Sequence, residues 1–261
     1  MDARARSVDA LAARALEVRV AERLLVHELT LQLAAGDFLA VLGCNGSGKT
    51  LTLHTLAGLR APTAGAVLLR GTPLGALRRR DVARHLGVLA QDREEGLSGT
   101  VMEAVLIGRH PHLAPLQWEG EPDREVARRC LERVDLGALA ARSTDTLSGG
   151  EQRRVAIAAL LAQDPDVFLL DEPTNHLDPH HQLGVLTLFR ELTRAGRTVL
   201  ATLHDASLAA RYADRALLLF GDGRWLEGRA ESVLSAATLS ELYQTEMREL
   251  TVEGHRLFVP R

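Results

Sequence analysis

The residues best suited to chemistry begin with a glycine-rich stretch that holds the only lysine of the chain. The stretch has the spacing GxxxxGK[ST] and consists of Gly43, Cys44, Asn45, Gly46, Ser47, Gly48, Lys49 and Thr50. Glycines at this spacing let backbone N–H groups converge on phosphate oxygens, while the lysine reaches the β- and γ-phosphates and the threonine hydroxyl ligates Mg²⁺. All other basic residues are arginine, and a pocket that needs a compact ammonium does not accept that exchange. The stretch therefore predicts a nucleotide phosphate site.

Two adjacent carboxylates supply a second candidate for chemistry. Asp171 and Glu172 follow the apolar run 167–170 and precede Pro173. Buried carboxylates at the end of a strand are costly unless a cation compensates them, and Mg²⁺ does so. Asp171 would hold the metal, directly or through water, and Glu172 would orient and deprotonate an attacking water. An exposed acidic loop is the alternative, and the phosphate-loop pattern in the same chain argues against it.

A pair of glycines, Gly149 and Gly150, predicts another anion site. The pair follows Ser148, which is a good helix N-cap, and opens a segment with apolar residues at helical spacing over 150–163. Glycines at a helix N-terminus expose backbone N–H groups to an anion. One chain would then carry two phosphate-binding elements for a single nucleotide.

The hydrophobic pattern predicts the elements that position these residues. Apolar or alternating runs predict strands at residues 16–20, 29–33, 38–42, 66–71, 167–170, 198–203 and 216–220. Helical spacing predicts helices at residues 51–59, 123–134, 150–163 and 233–244. A further helix is predicted between Asp178, its N-cap, and Gly196 at its end. Strand, helix and strand in succession imply a right-handed parallel unit. The predicted fold class is α/β with an inserted α-helical subdomain.

Length and composition exclude several classes of protein. The chain has 261 residues, of which 46% are hydrophobic and 25% charged, and these ordinary values exclude disordered, collagen-like and disulfide-scaffold classes. A net charge of -3 gives no general attraction to nucleic acid or to an anionic membrane. Two cysteines without ligand spacing favour a reducing compartment, and no window reaches the ~18 apolar residues that span a bilayer. We therefore expect a cytosolic chain that neither inserts nor is exported by itself.

The motif LSGGEQ, with the phosphate loop before it and LLDEP after it, resembles the ATP-binding cassette (ABC) ATPases. The resemblance covers nearly the whole chain and implies a single domain over 1–261. It implies a P-loop NTPase (RecA-like) core with an N-terminal antiparallel β subdomain, at about 10–91 and 164–229. It further implies a helical subdomain with the signature motif at about 92–163, and a C-terminal helix and tail at about 230–261.

The resemblance implies roles for further residues. Gln91 matches the Q-loop glutamine, which touches Mg²⁺ and the attacking water, and His204 matches the switch histidine that contacts the γ-phosphate. Asp178 matches the D-loop. Backbone contact to phosphate would extend to Leu51, where the family often has serine or threonine. The aromatic residue that often stacks on adenine is missing near Val20.

The family's arrangement also implies a metal cofactor and a second copy of the chain. Mg²⁺, bound together with ATP, would be held by Thr50, Gln91 and Asp171. Two cassettes face head to tail, so that each ATP lies between the phosphate loop of one copy and the signature motif of the other. The signature residues that would contact the ATP of the opposite copy are Ser148, Gly149, Gly150 and Gln152. A homodimer would account for two anion sites on one chain.

The segment 100–112, TVMEAVLIGRHPH, resembles TVxExVxxGRxPH of the ATPases that power iron-siderophore, haem and cobalamin importers. It implies two transmembrane permease subunits, which would dock near Gln91 and residues 92–101, and through them a substrate-binding protein. No nucleic acid partner is expected. The chain would lie peripherally on the cytoplasmic face of the inner membrane.

Several alternatives stay open at this point. Soluble cassettes that act on ribosomes or DNA usually carry two cassettes or a long coiled coil, and this chain has neither. The ATPase of a small exporter shares the chemistry, and residues 108–112, the GRHPH segment, argue against it. A non-catalytic cassette is disfavoured because the candidate lysine, carboxylates and histidine are all present. His110 with His112, and His180 with His181, suggest a metal site, but each pair lacks a clustered third ligand.

Overall fold

The computed structural model describes residues 9–91, 99–114 and 116–261. The strands of this part are, in chain order, β1 (Leu11–Val20), β2 (Arg23–Leu33), β3 (Phe38–Leu42), β4 (Ala64–Leu69), β5 (Thr72–Pro73), β6 (Leu86–Leu89), β7 (Val167–Leu170), β8 (Thr198–Thr202), β9 (Arg215–Leu219), β10 (Trp225–Arg229), β11 (Met247–Val252) and β12 (His255–Pro260). Its α-helices are α1 (Lys49–Leu56), α2 (Arg79–His85), α3 (Val101–Leu106), α4 (Glu121–Glu132), α5 (Gly149–Gln163), α6 (Pro179–Arg194), α7 (Ala206–Tyr212), α8 (Ala230–Val233) and α9 (Ala236–Tyr243). Among these described residues, no helix has the length and apolar character needed to cross a membrane.

The largest sheet of the described residues has the strand order β10-β9-β3-β8-β7-β6. Strands β3, β6, β7, β8 and β9 run parallel, and β10 pairs antiparallel with β9 at the edge. Every residue of β3, β7 and β8 is buried, as expected for a parallel sheet that is covered on both faces. The carboxyl ends of β3, β6, β7 and β8 therefore meet at one edge, which is where open α/β sheets bind ligands.

An antiparallel sheet in the order β2-β1-β4-β5 is built by the N-terminal part of the chain. Its inward-facing Leu16 and Leu29 share one apolar cluster with Leu53 of α1 and with Leu39 and Val41 of β3. The antiparallel sheet thus packs on the outer side of α1 and β3, the two elements that the phosphate loop connects. The predicted α/β class, with an N-terminal antiparallel β region, is confirmed.

Helices α3, α4 and α5 follow β6 and precede β7 in the sequence, and they pack against one another. The GRHPH segment lies against α5. A Cβ at Gly108 would come within 2.1 Å of a backbone carbonyl oxygen of α5, so only glycine permits this approach. Arg109 Nη1 donates to the carbonyl oxygen of Ala162 (2.8 Å), and His112 Nε2 lies 2.8 Å from the carbonyl oxygen of Gln163. The segment therefore caps the last turn of α5, whose carbonyl groups have no partner within the helix.

The predicted helix over 233–244 is confirmed as α9, but a short helix, α8, precedes it and a hairpin stands where a tail is predicted. Ser235 and Thr238 form a capping box that starts a new helix, so the region divides into α8 and α9. The residues after α9 form an antiparallel hairpin of β11 and β12. Glu253 and Gly254 at its turn have φ values of +50° and +79°, the left-handed geometry that suits a tight hairpin. Most residues of the hairpin are exposed, so its sequence lacks the apolar face that predicts a strand.

The close approach at Gly108 predicts a stability difference between two Gly→Ala substitutions. Gly108→Ala should lower the free energy of unfolding by about 2 kcal/mol, because the new methyl group collides with backbone. Gly184→Ala in α6 is the matched control, since a Cβ there meets nothing within 4 Å and alanine favours a helix. Urea unfolding measures both variants, and an unchanged midpoint for Gly108→Ala would contradict this packing.

Candidate functional site

The phosphate loop runs from the end of β3 into α1 and has a shape that two glycines permit. Gly48 has a φ of +101°, and a Cβ there would lie 3.1 Å from the Leu25 side chain. At Gly43 a Cβ would lie 2.4 Å from Ser47 Oγ and 2.6 Å from the carbonyl oxygen of Leu219. Helix α1 begins directly after Gly48, so the loop ends at the positive end of a helix dipole.

The Lys49 side chain is held inside the loop by the loop's own carbonyl groups. Its Nζ donates to the carbonyl oxygens of Gly43 (2.9 Å) and Cys44 (3.3 Å). Burial lowers the pKa of this ammonium, and the nearby Glu172 and Asp171 carboxylates act in the opposite direction. Lys49 is therefore a desolvated cation, which attracts an anion more strongly than a cation in water does.

The two carboxylates predicted after β7 are buried and anchored by one threonine. Thr202 Oγ1 donates to Asp171 Oδ1 (2.6 Å) and accepts from the Glu172 N–H (2.8 Å). Asp171 is fully buried, and its other oxygen, Oδ2, has no hydrogen-bond partner among the described residues. A buried carboxylate oxygen without a partner calls for a cation or a donor at that point.

Glu172 is surrounded by hydrogen-bond donors. Gln91 Nε2 donates to its Oε2 (3.1 Å), Asn175 Nδ2 donates to the same oxygen, and His204 Nε2 lies 2.5 Å from Oε1. The backbone of Glu172 has a φ of +48°, which residues with a side chain adopt rarely and which persists only where neighbours hold it. The loop after β7 is thus built to fix the direction of this one carboxylate.

Nine of the predicted residues line a common cavity of about 490 Å³. The lining residues are Asn45, Gly46, Gly48, Lys49, Thr50, Leu51, Gln91, Glu172 and His204. Gly43, Cys44 and Ser47 of the phosphate loop are not among them, and neither is the predicted metal ligand Asp171, which is fully buried. Thr50 Oγ1 and Gln91 Oε1 lie 3.4 Å apart, so two of the predicted metal ligands are neighbours.

The signature residues lie outside the lining of this cavity. Ser148 is the N-cap of α5, as predicted: its Oγ accepts from the Glu151 N–H (3.3 Å). The Glu151 carboxylate accepts in return from the Ser148 N–H (2.7 Å), and this bond lowers its pKa. Gly149 and Gly150 form the first turn of α5, and Gln152 Nε2 donates to two carbonyl oxygens just before the helix (3.4 and 3.5 Å). Ser148 is exposed, and Gly149 and Gly150 are half-buried.

Asp178 is the N-cap of α6, also as predicted. It accepts from the His181 N–H (3.0 Å), and His181 Nδ1 lies 2.7 Å from its other oxygen, so these bonds lower the pKa of Asp178. Of the other histidine pair, His110 contacts Glu119 (3.1 Å). Within the described ranges, no group of three or more His, Cys, Asp or Glu side chains could hold a metal ion.

Three residues that build the site carried no prediction from the sequence. Thr202 anchors both carboxylates, Asn175 donates to Glu172, and Arg153 donates to backbone carbonyl groups beside the site. Thr202 did carry a signal, because a hydroxyl near the end of an apolar strand has to find a buried partner. Arg153 and Asn175 reach their partners only through tertiary packing, which no local spacing encodes.

A profile of the ABC transporter family matches residues 26–175, which is more than half of the chain. Together with the parallel sheet, the phosphate loop and the acidic pair, this match shows the class: the chain belongs to the ABC transporter family and is an ABC ATPase.

Two curated proteins and one solved structure are similar to this chain over most of its length. The achromobactin transport ATP-binding protein CbrD of Dickeya dadantii is 38% identical over 242 residues, which cover 92% of this chain and 89% of that protein. The hemin import ATP-binding protein HmuV of Gloeobacter violaceus is 42% identical over 223 residues, covering 83% and 80%. A solved structure described as an inward-facing, metal-chelate type ABC transporter superposes with a TM-score of 0.84 at 28% identity, covering 97% of this chain and 98% of that one.

The anchoring of the carboxylates predicts that Thr202→Val is destabilising. The change should lower the free energy of unfolding by about 2 kcal/mol, because it leaves a buried N–H and a buried carboxylate oxygen without a partner. Thr251→Val on the exposed strand β11 is the control, since it exchanges one β-branched residue for another in solvent. Equal unfolding midpoints for the two variants in urea would argue against the anchoring role.

The two cysteines predict an order of alkylation. Cys44 is half-buried in the phosphate loop, where its thiol donates to the carbonyl oxygen of Leu242 (3.1 Å). Burial raises the pKa of the Cys130 thiol to about 11, so its thiolate is scarce at about pH 8. Iodoacetamide should therefore modify Cys44 in the native chain and spare Cys130. Mass spectrometry measures both sites, and modification of Cys130 at the same rate would contradict the burial.

Proposed function

We propose that the chain binds ATP with Mg²⁺, hydrolyses the γ-phosphate, and thereby powers import of an iron-siderophore chelate, haem or cobalamin. The observation that carries the hydrolytic part is the placement of Glu172. Its carboxylate, held by Gln91, Asn175 and His204, shares one cavity with Lys49. A base fixed beside a phosphate-binding cation is the arrangement that water attack on a phosphoryl group requires.

The phosphate loop would hold the nucleotide. Lys49 would exchange its carbonyl partners for β- and γ-phosphate oxygens, and the N–H groups from Gly46 to Leu51 would donate to the phosphates at the start of α1. The desolvated ammonium gives this contact more strength than an exposed lysine would have.

The oxygen atoms around Thr50 suit Mg²⁺, which prefers oxygen ligands and is commonly shared between one or two carboxylates and substrate phosphates. Thr50 Oγ1, Gln91 Oε1 and the unpartnered Asp171 Oδ2 would hold it, the aspartate directly or through water. When bound, the ion neutralises charge on the phosphate oxygens. The fit rests on the buried oxygen of Asp171, which otherwise has no partner in the described structure.

Glu172 would orient the attacking water and accept its proton. In the structure His204 contacts Glu172 Oε1, and Gln91 contacts Oε2. We infer that His204 turns to the γ-phosphate when ATP enters, which leaves Oε1 free for the water. Gln91 would then contact both the water and the metal, because its amide has a donor and an acceptor side.

The N-terminal turn of α5 supports a homodimer in which each copy completes the other's site. Ser148, Gly149 and Gly150 offer N–H and hydroxyl groups at a helix N-terminus, and they are outside the cavity of their own chain. Gln152 would support this contact, and Asp178 would lie at the dimer interface. ATP held between two copies would draw them together, and hydrolysis would release them.

The direction of transport and the partners rest on the relatives, whose names describe achromobactin transport and hemin import. Two permease subunits would dock near Gln91 and residues 92–101, of which 92–98 lie outside the described residues. A substrate-binding protein would deliver the cargo on the far side. The chain would work at the cytoplasmic face of the inner membrane as a peripheral subunit, without a nucleic acid partner.

The test of the proposal is the hydrolysis rate of Glu172→Gln against the wild type. The amide cannot accept the proton of the water, so kcat should fall by about 100-fold or more, while ATP binding persists. With hydrolysis blocked, the variant should collect as an ATP-dependent dimer in size-exclusion chromatography. Glu191→Gln on the exposed side of α6 is the matched control and should hydrolyse at the wild-type rate. Wild-type turnover by Glu172→Gln would refute Glu172 as the base.

A further inference from the structure

One buried arginine connects the signature helix to the strand ends that carry the hydrolytic residues. Arg153 lies in the first half of α5 and is only 9% exposed. Its Nη1 donates to the carbonyl oxygen of Ala90 (2.5 Å) at the end of β6. Its Nη2 donates to the carbonyl oxygens of Glu172 (2.9 Å) and Asp171 after β7. A single planar group thus holds two adjacent strand ends together.

The carbonyl groups that Arg153 binds belong to the backbone of the hydrolytic residues or adjoin it. Ala90 directly precedes Gln91, and the other two carbonyls are those of Asp171 and Glu172 themselves. A shift of the guanidinium would therefore move both Gln91 and Glu172, whose carboxylate Gln91 contacts. The contact between these two side chains, at 3.1 Å, depends on the spacing of the two strand ends.

The strained backbone of Glu172 needs such support. At a φ of +48° the residue is in the left-handed region, which neighbouring contacts have to stabilise. Thr202 accepts a hydrogen bond from its N–H, and Arg153 donates to its carbonyl oxygen, so both polar groups of the residue are held. The same guanidinium is a buried positive charge near both carboxylates, opposite in sign to them.

We propose that Arg153 is a positioning residue: it sets the alignment of Gln91 and Glu172 and transmits movement of the signature helix to them. The inference rests on the proposed ATP hydrolysis and adds to it a route within one chain. When a second copy's nucleotide engages the first turn of α5, the helix and its guanidinium move as one unit. The strand ends of β6 and β7 then follow. Closure of the dimer therefore shifts the hydrolytic residues of the same chain.

A lysine cannot fully substitute at this position. The guanidinium is a rigid fork whose two terminal nitrogens reach different strands, whereas an ammonium is a single point at the end of a flexible chain. A lysine would keep the positive charge beneath the carboxylates but could hold the two strand ends only loosely. Charge and geometry can therefore be separated by two substitutions at Arg153.

The next residue along the chain is a natural control. Arg154 also donates to backbone carbonyl oxygens, those of Val134 (2.9 Å) and Asp135 (3.4 Å), which follow α4. In the part of the chain that the structure describes, its hydrogen bonds reach neither strand end, and it does not line the cavity. Arg154→Gln removes the same chemical group from the same helix, so it reports on general loss of packing in the helical part.

The experiment compares steady-state ATP hydrolysis, and ATP affinity by equilibrium binding, for the full-length wild type, Arg153→Gln, Arg153→Lys and Arg154→Gln. We expect Arg153→Gln to lower kcat by about 100-fold, as small misplacements of hydrolytic groups do, with KM and Kd for ATP within about threefold. Arg153→Lys should recover part of kcat because it keeps the charge. Arg154→Gln should stay within about twofold of the wild-type kcat, as expected of a residue outside the site.

Two results would overturn the inference. One is a kcat of Arg153→Gln within twofold of the wild type, and the other is an equal loss of kcat in Arg154→Gln. Retained ATP binding shows that a variant is folded. If Arg153→Gln does not fold, Arg153→Lys decides: a reduced kcat at unchanged ATP affinity supports the inference, and a wild-type kcat refutes it. A wild-type chain that binds ATP without hydrolysing it would instead refute the proposed function.

Discussion

The whole site depends on keeping two carboxylates buried at the end of β7. Asp171 and Glu172 are 0% and 6% exposed, and burial of such charges costs several kcal/mol each unless cations and donors surround them. Lys49 and Arg153 supply buried positive charge, and Thr202 supplies a hydroxyl to each carboxylate residue. Of the four oxygens of these two carboxylates, only Asp171 Oδ2 is left without a hydrogen-bond partner in the described structure. In the proposed mechanism that oxygen is where the metal of the incoming nucleotide is held.

The parallel sheet explains how residues far apart in the chain reach this point. Strands β3, β8, β7 and β6 are consecutive neighbours, so the loops that follow them meet at one edge. The loop after β3 is the phosphate loop. The loops after β8, β7 and β6 carry His204, the acidic pair and Gln91, respectively. The antiparallel sheet supports α1 from outside, while the GRHPH segment caps the far end of α5. Each accessory part thus holds an element that carries a site residue.

The sequence predicts this site well where chemistry requires particular residue types at a fixed local spacing. The phosphate loop, the acidic pair and the caps Ser148 and Asp178 are of this kind, and so are the buried strands with continuous apolar runs. Arg153 and Asn175 escaped prediction because each is a single polar residue that acts through tertiary contact. The C-terminal hairpin escaped because its strands are exposed, so that hydrophobic alternation gives little signal.

The most direct test of the central claim is a structure of Glu172→Gln with ATP and Mg²⁺. We predict that Lys49 Nζ leaves the carbonyl groups of the loop for phosphate oxygens, and that the metal lies beside Thr50, Gln91 and Asp171. Ser148 of a second copy should contact the same ATP. A nucleotide bound elsewhere, or a metal site without Asp171, would contradict the account that the buried carboxylates exist to hold the metal and direct the water.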